Sequence, residues 1–172
     1  MVFFCYNKLS MCEVNILKIL VISDTHGQIM NAVNLIKKGT YDYCIHLGDV
    51  VRDCEDLESI FPRQKFIFVK GNNDFWTRDA SFPDERTFTL GGKKFFICHG
   101  HKFNVKSSLA LLKSTAIKKE CDVVLFGHTH KSYLEDGSLT VMNPGCVKSY
   151  GEIIIDDEGN MKSELKKVND DE

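Results

Sequence analysis

Four short apolar runs in this 172-residue chain each stop at a polar cluster, and that repeated grammar constrains the fold more than any other feature. Ile19-Leu20-Val21-Ile22 runs into Ser23-Asp24-Thr25-His26-Gly27, and Cys44-Ile45-His46-Leu47 into Gly48-Asp49. Phe66-Ile67-Phe68-Val69 leads to Lys70-Gly71-Asn72-Asn73-Asp74, and Val123-Val124-Leu125-Phe126 to Gly127-His128-Thr129-His130. Continuous β-branched and aromatic runs of this length predict strands covered on both faces. Open α/β sheets build their sites at the carboxyl ends of such strands.

The intervening segments predict helices and hairpins. Ile29, Ala32, Val33 and Ile36 fall at i, i+3, i+4 and i+7, with Gly39 where a C-terminal cap belongs. A weaker helix is expected over 53–61 around Leu57 and Ile60, and a third through 106–119, marked by Leu109, Leu112 and Ala116. Gly91-Gly92 separates Thr87–Leu90 from Lys93–Cys98, and Asp136-Gly137 separates Ser132–Glu135 from Ser138–Met142, as in hairpins. A last pair, Glu152–Asp156 and Met161–Val168, turns at Glu158-Gly159-Asn160. The expected order is βαβαβ, a hairpin, a helix and a strand-rich tail: an α/β chain with no internal repeat or linker. Residues 1–172 are therefore expected to form one domain, with 1–14 as an accessory tail and Met11 as an alternative start.

Composition excludes several classes of function. Apolar residues make up 43% of the chain, enough for a real core, and a fold of this size buries roughly 70% of the surface of its unfolded chain. Twenty-two Lys and Arg against 24 Asp and Glu leave a net charge of −2 spread along the sequence, which argues against a nucleic-acid partner. Val2–Tyr6 is too short for a signal sequence, and Ile16–Ile22 is broken by Lys18 and suits a strand rather than a membrane helix. The expectation is a cytoplasmic protein without a membrane partner. The seven cysteines are odd in number and form no CxxC pair, so they read as reduced, mostly buried thiols.

Histidine placement carries the chemistry. All six (His26, His46, His99, His101, His128 and His130) lie at or beside strand ends, together with Asp24, Asp49 and Asn72. If the backbone is extended there, residues two apart project to one side, so Asp24 and His26 reach one point, as do His128 and His130. Asp49, with two oxygens, can bridge two cations. Imidazole and carboxylate together suit Mn, Fe, Zn, Co or Ni better than Ca. Two such ions can share a hydroxide and clamp a phosphoryl group during in-line displacement.

The ordered series Asp24-Thr25-His26, Gly48-Asp49, Gly71-Asn72-Asn73-Asp74, His99-Gly100 and Gly127-His128-Thr129-His130 resembles the calcineurin-like metallophosphoesterase superfamily. The compact length and the Asn143-Pro144-Gly145 turn are similar to its small bacterial and archaeal phosphodiesterase branch. The resemblance implies a four-layer α/β/β/α sandwich of two mixed sheets. It implies one metal on Asp24, His26, Asp49 and His130, and a second on Asp49, Asn72, His99 and His128. Two divalent ions, manganese first and Ni, Co, Fe or Zn as alternatives, would then serve attack of a bridging hydroxide on a small phosphodiester.

The family often has His after the Gly-Asn pair, and the compact branch often Cys; here the residue is Asn73. An amide can hydrogen-bond a phosphoryl oxygen but cannot supply a proton near neutral pH. Asn73 and His101 are the catalytic candidates, and esters with acidic leaving groups are the expected substrates. His46 reads equally as a support for the ligands or as a packed strand residue. Lys70, Arg52 and Arg78 flank motifs but read as ordinary surface charges, and Trp76 as either a pocket wall or a partner contact. Asp74 is expected to orient its own loop. Two other functions stay open: a protein-binding scaffold like the retromer small subunit, which resembles the same fold, and a nuclease, which would need a basic track this chain lacks. Homo-oligomerisation stays open as well.

Overall fold

The computed structural model describes residues 15–74 and 82–168. Residues 1–14, with Met11 and the candidate tail, and Trp76 and Arg78 lie outside them. The chain runs β1 (Leu17–Ile22), α1 (Met30–Lys38), β2 (Tyr43–His46), α2 (Val51–Ile60), β3 (Lys65–Phe68), β4 (Glu85–Leu90) and β5 (Lys93–Cys98). It continues through α3 (Ala110–Lys118), β6 (Val123–Leu125), β7 (Tyr133–Glu135), β8 (Thr140–Asn143), β9 (Ser149–Ile155) and β10 (Met161–Lys167).

The strands form two five-stranded mixed sheets, ordered β10-β9-β1-β2-β3 and β4-β5-β6-β8-β7. In the first, β1, β2 and β3 are parallel, with Ile19 opposite Tyr43 and Cys44 opposite Phe66. In the second, β5, β6 and β8 are parallel, with Phe95 opposite Val123 and Val123 opposite Thr140. The outer strands β9, β10, β4 and β7 pair antiparallel, β4 with β5, β9 with β10 and β7 with β8 through the hairpins expected at Gly91-Gly92 and 158–160 and around 136–137, and β9 also with β1.

Side-chain alternation separates the layers. Ile19, Val21 and Ile45 of the first sheet pack against Phe95, Ile97, Val123 and Leu125 of the second, and all seven are fully buried. The opposite face of β1 and β2, with Leu20, Ile22 and Cys44, is covered by Ala32, Val33 and Ile36 of α1 and Leu57 of α2. Phe96, Cys98 and Val124 turn outward from the second sheet onto Leu112 and Ala116 of α3. The result is the α/β/β/α sandwich, and it explains why the inner strands read as unbroken apolar runs.

Two helix boundaries differ from the sequence reading. The second helix starts at Val51 and buries Cys54 and Leu57, leaving Ile60 exposed. The third starts only at Ala110, because residues 101–103 form a separate 3-10 turn and the Ser108 hydroxyl accepts the Ala110 N–H at 3.1 Å. The four buried cysteines Cys44, Cys54, Cys98 and Cys121 are free thiols, and burial pushes each of them up from the ordinary thiol pKa.

Candidate metal centre

The parallel strands end at one edge, and there the backbone leaves the extended conformation. Among the described residues eight non-glycine positions have positive φ, and five of them are Asp24, His26, Asp49, His128 and His130. Asp24 (φ 54°) and His26 (φ 47°) are thus brought together by left-handed turns, and not by the alternation of an extended strand expected from their spacing. Such a conformation costs an ordinary side chain roughly 1–3 kcal/mol and persists only where its surroundings enforce it. The Gly48-Asp49 and Gly71-Asn72 turns enforce each other by backbone contact. A Cβ on Gly48 would lie 2.7 Å from the Gly71 nitrogen, and one on Gly71 would lie 2.4 Å from the Asp49 nitrogen.

Buried polar side chains hold each turn. Asp53 of α2 accepts the Thr25 hydroxyl at 2.5 Å and the Gly27 N–H at 2.8 Å. With the Thr25 proton given to Asp53, His46 donates from Nε2 to Thr25 Oγ1 at 3.0 Å, while its Nδ1 accepts the Gly48 N–H at 3.1 Å. His46 is thereby a support that ties the first two motifs together. Its complete burial lowers its pKa to about 4, which keeps it neutral at pH 7. Asp74 accepts from the N–H groups of Gly71 (2.8 Å) and Val51 (2.8 Å), so it orders its own loop and also the start of α2 behind Asp49. Asn143 donates to the Gly127 carbonyl at 2.8 Å and accepts the Gly145 N–H at 2.8 Å, fixing the His128–His130 loop.

The donors converge from both sheets. One ligand atom from each of Asp24, His26, Asp49 and His130 lies within 4.8 Å of the others. His130 Nε2 is 3.1 Å from Asp24 Oδ1, His26 Nε2 is 3.6 Å from Asp49 Oδ2, and the two imidazole Nε2 atoms face each other at 3.4 Å. On the other side His99 gives its Nδ1–H to the Leu47 carbonyl at 2.8 Å. In the neutral ring Nε2 therefore presents a lone pair to Asn72 Oδ1 (3.2 Å) and to Asp24 Oδ1 and Asp49 Oδ1 (3.9 Å each). The His128 ring stands 5.1 Å from that of His99, and burial first, then the neighbouring His99 imidazole, lowers its pKa to about 4.

Asn73 is placed otherwise than a free substrate contact. Its backbone N–H and its Nδ2 donate to the two oxygens of Asp49, each at 2.9 Å, so it holds that carboxylate in a fork. His101 lies beside the cluster, its ring 5.6 Å from His99, and its pKa is lowered by burial first and by His99 next.

The donor set fits divalent cations. Asp24 is fully buried, and its Oδ2 accepts from the Ser23 hydroxyl and from the His128 N–H at 3.1 Å. Its Oδ1 has no hydrogen-bond donor among the described residues. A buried carboxylate oxygen surrounded by further acceptors and imidazole nitrogens is unfavourable by itself and favourable around a positive ion. The sequence did not reveal Asp53 as an anchor, and it marked Asn143 only as part of a turn. The signal for Asp53 was a carboxylate four residues before Leu57 on the apolar face of a predicted helix.

Two mixed sheets back to back, with Asp and His donors gathered where their strands end, define a metallophosphoesterase fold. The chain belongs to the calcineurin-like phosphoesterase superfamily, whose domain model matches residues 17–154. It is 33% identical over 137 residues to the probable metallophosphoesterase YsnB of Bacillus subtilis, covering 77% of this chain and 76% of the relative. It is 31% identical over 150 residues to phosphodiesterase MJ0936 of Methanocaldococcus jannaschii, covering 75% and 83%. Among solved structures, a predicted phosphoesterase from Streptococcus pneumoniae superposes with a TM-score of 0.70 at 28% identity over 90% of this chain and 91% of that one. Vacuolar protein sorting 29 from Cryptosporidium parvum gives the same TM-score at 18% identity, covering 88% and 97%, a likeness of fold alone. Among the described residues no helix is long and apolar enough to cross a membrane.

Proposed function

We propose that residues 1–172 form one cytoplasmic, binuclear metal-dependent phosphodiesterase domain acting on a small phosphodiester. Asp24, His26, Asp49 and His130 would hold one cation, and Asp49, Asn72, His99 and His128 the other, manganese being the first choice. The observation that carries this reading is the buried Asp24 Oδ1, which has no hydrogen-bond partner among the described residues and faces the Nε2 atoms of His130 and His99. Divalent cations bound there supply charge neutralisation on the phosphoryl group and a lowered pKa for water.

The chain's own residues do the rest. Asn73 keeps both Asp49 oxygens oriented, and its amide has no proton to give. His101 has an Nδ1 with no partner among the described residues and, with its lowered pKa, is mostly neutral at pH 7. A neutral imidazole donates a hydrogen bond to a leaving oxygen more readily than it releases a full proton. Leaving groups that depart as stable anions are therefore favoured. The protein-scaffold alternative has only the fold likeness behind it, whereas every proposed donor is intact in this chain.

The test is a phosphoester panel with metal-free protein reloaded in turn with Mn, Ni, Co, Fe and Zn. Aryl phosphodiesters should turn over fastest, with a stoichiometry approaching two ions per chain by elemental analysis. Equal or faster turnover of alkyl monoesters would remove the leaving-group argument, and a metal-loaded protein inert on the whole panel would favour the scaffold.

A further inference from the structure

One surface groove near the metal centre is not used by the mechanism. It has a volume of about 500 Å³, within the roughly 300–1,000 Å³ common for ligand sites. Its floor is the buried pair Val105 and Phe126, its walls are the half-buried Leu109 and Tyr133, and Lys106 and Lys131 stand exposed on its rim. Phe126 and Tyr133 form an aromatic corner, their centroids 6.4 Å apart and tilted by 56°. The Tyr133 hydroxyl is committed to Glu135, whose carboxylate also takes Lys113 Nζ at 2.7 Å, so the ring is held in place from outside the groove.

Chain continuity connects this groove to the phosphate site: Phe126 precedes Gly127-His128, Thr129 lines the groove, and Lys131 follows His130. The groove's charge is also distinctive. Two other hollows of similar size carry carboxylates, Asp42, Asp156, Asp157 and Glu158 in one and Asp136 and Glu164 in the other. No carboxylate lines the groove, and neither rim lysine has an ion-pair partner among the described residues.

We infer that this groove is the subsite for the ester arm that stays on phosphorus, and that it selects a planar aromatic arm on an anionic phosphodiester. The apolar floor and aromatic corner match a flat ring, and the rim lysines match the charge of the diester. This rests on the phosphodiesterase reading and deepens it, because leaving-group acidity says nothing about the second substituent.

The experiment holds the leaving group constant. Bis(p-nitrophenyl) phosphate and methyl p-nitrophenyl phosphate both release p-nitrophenolate and differ only in the arm that remains. With manganese-loaded protein, Leu109→Glu should lower the ratio of their kcat/KM values, bis-aryl over methyl aryl, about tenfold, mainly through KM. A second measurement does not depend on turnover. Phenyl phenylphosphonate titrated into zinc-loaded protein should shift the methyl resonances of Leu109 and Val105, and Lys131→Glu should weaken that binding severalfold. Hydrolysis of both esters with a ratio that Leu109→Glu leaves unchanged, or phosphonate binding without those shifts, overturns the groove assignment and leaves the phosphodiesterase reading standing. Hydrolysis of neither ester overturns both.

Discussion

The bodies of the central strands and their tips obey different rules. Within β1, Ile19 and Val21 face the second sheet while Leu20 and Ile22 face α1, and each packs into an apolar cluster. Two residues past the end of the same strand, Asp24 is equally buried, sits at φ 54°, and keeps an oxygen without a donor among the described residues. The contrast repeats at β2, where buried Ile45 gives way to Asp49, and at β6, where Leu125 gives way to His128 and His130. Stability resides in the strand bodies and chemical readiness in the tips. The tips hold unfavourable backbone and crowded acceptors only because the bodies and the buried anchors behind them leave no alternative.

The sharpest way to break this comparison is to exchange the consequences of one substitution at each end. Asp49→Asn should reduce kcat/KM on an aryl phosphodiester by more than about 100-fold. Its effect on the melting temperature of the chelator-treated protein should be small by comparison, because the relief of two neighbouring carboxylates is offset by an amide N–H2 set against one of the two Asn73 donors. Near-normal turnover and metal content in that variant would refute the bridging role. Leu125→Ala, in the body, should do the opposite. It should cost about 3 kcal/mol in urea unfolding while the folded fraction keeps most of its activity. Behind the tips, Asp53→Ala removes the acceptor of Thr25 and Gly27 and should weaken metal binding by about 10- to 100-fold. A calorimetric titration matching the parent would show that the turn holds its shape without this anchor.

The remaining prediction is a pH dependence of stability. His46 has its pKa depressed by burial to about 4, below the ordinary value of about 6.5. Between those values the unfolded chain binds the extra proton, so this residue's contribution to stability is present above about pH 6.5 and is lost as pH falls towards about 4. Urea midpoints of metal-free protein at pH 7 and pH 4.5 should differ in that direction. A midpoint higher at pH 4.5 would contradict the buried neutral imidazole.

Much of this fold was legible because the strand bodies follow rules local to the sequence. Doubly covered strands must be apolar throughout, and Gly91-Gly92 and Glu158-Gly159-Asn160 stand where the hairpins turn. Ala32, Val33 and Ile36 announced the buried face of α1. The tips were legible only as an inventory of donors. Alternation along a strand suggested that Asp24 and His26 meet, but left-handed turns bring them together, and no residue type in Asp24-Thr25-His26 encodes that. The fork from Asn73 to Asp49 depends on two loops whose glycines touch backbone to backbone, a relation between residues 24 apart. His46, Asp53 and Asn143 act across similar separations, so their partners could not be read from spacing.

The candidate ligands divide between the two sheets: Asp24, His26, Asp49 and Asn72 follow strands of the first, His99, His128 and His130 strands of the second. The pocket therefore works as a gauge of how the sheets are offset. Sliding one layer over the other by a fraction of an ångström would alter every cross-sheet separation at once, including the 3.1 Å between His130 and Asp24. Phe95 and Ile153, in the seam between the layers and outside the donor set, help to set the calibre of the pocket without contributing a donor atom to it.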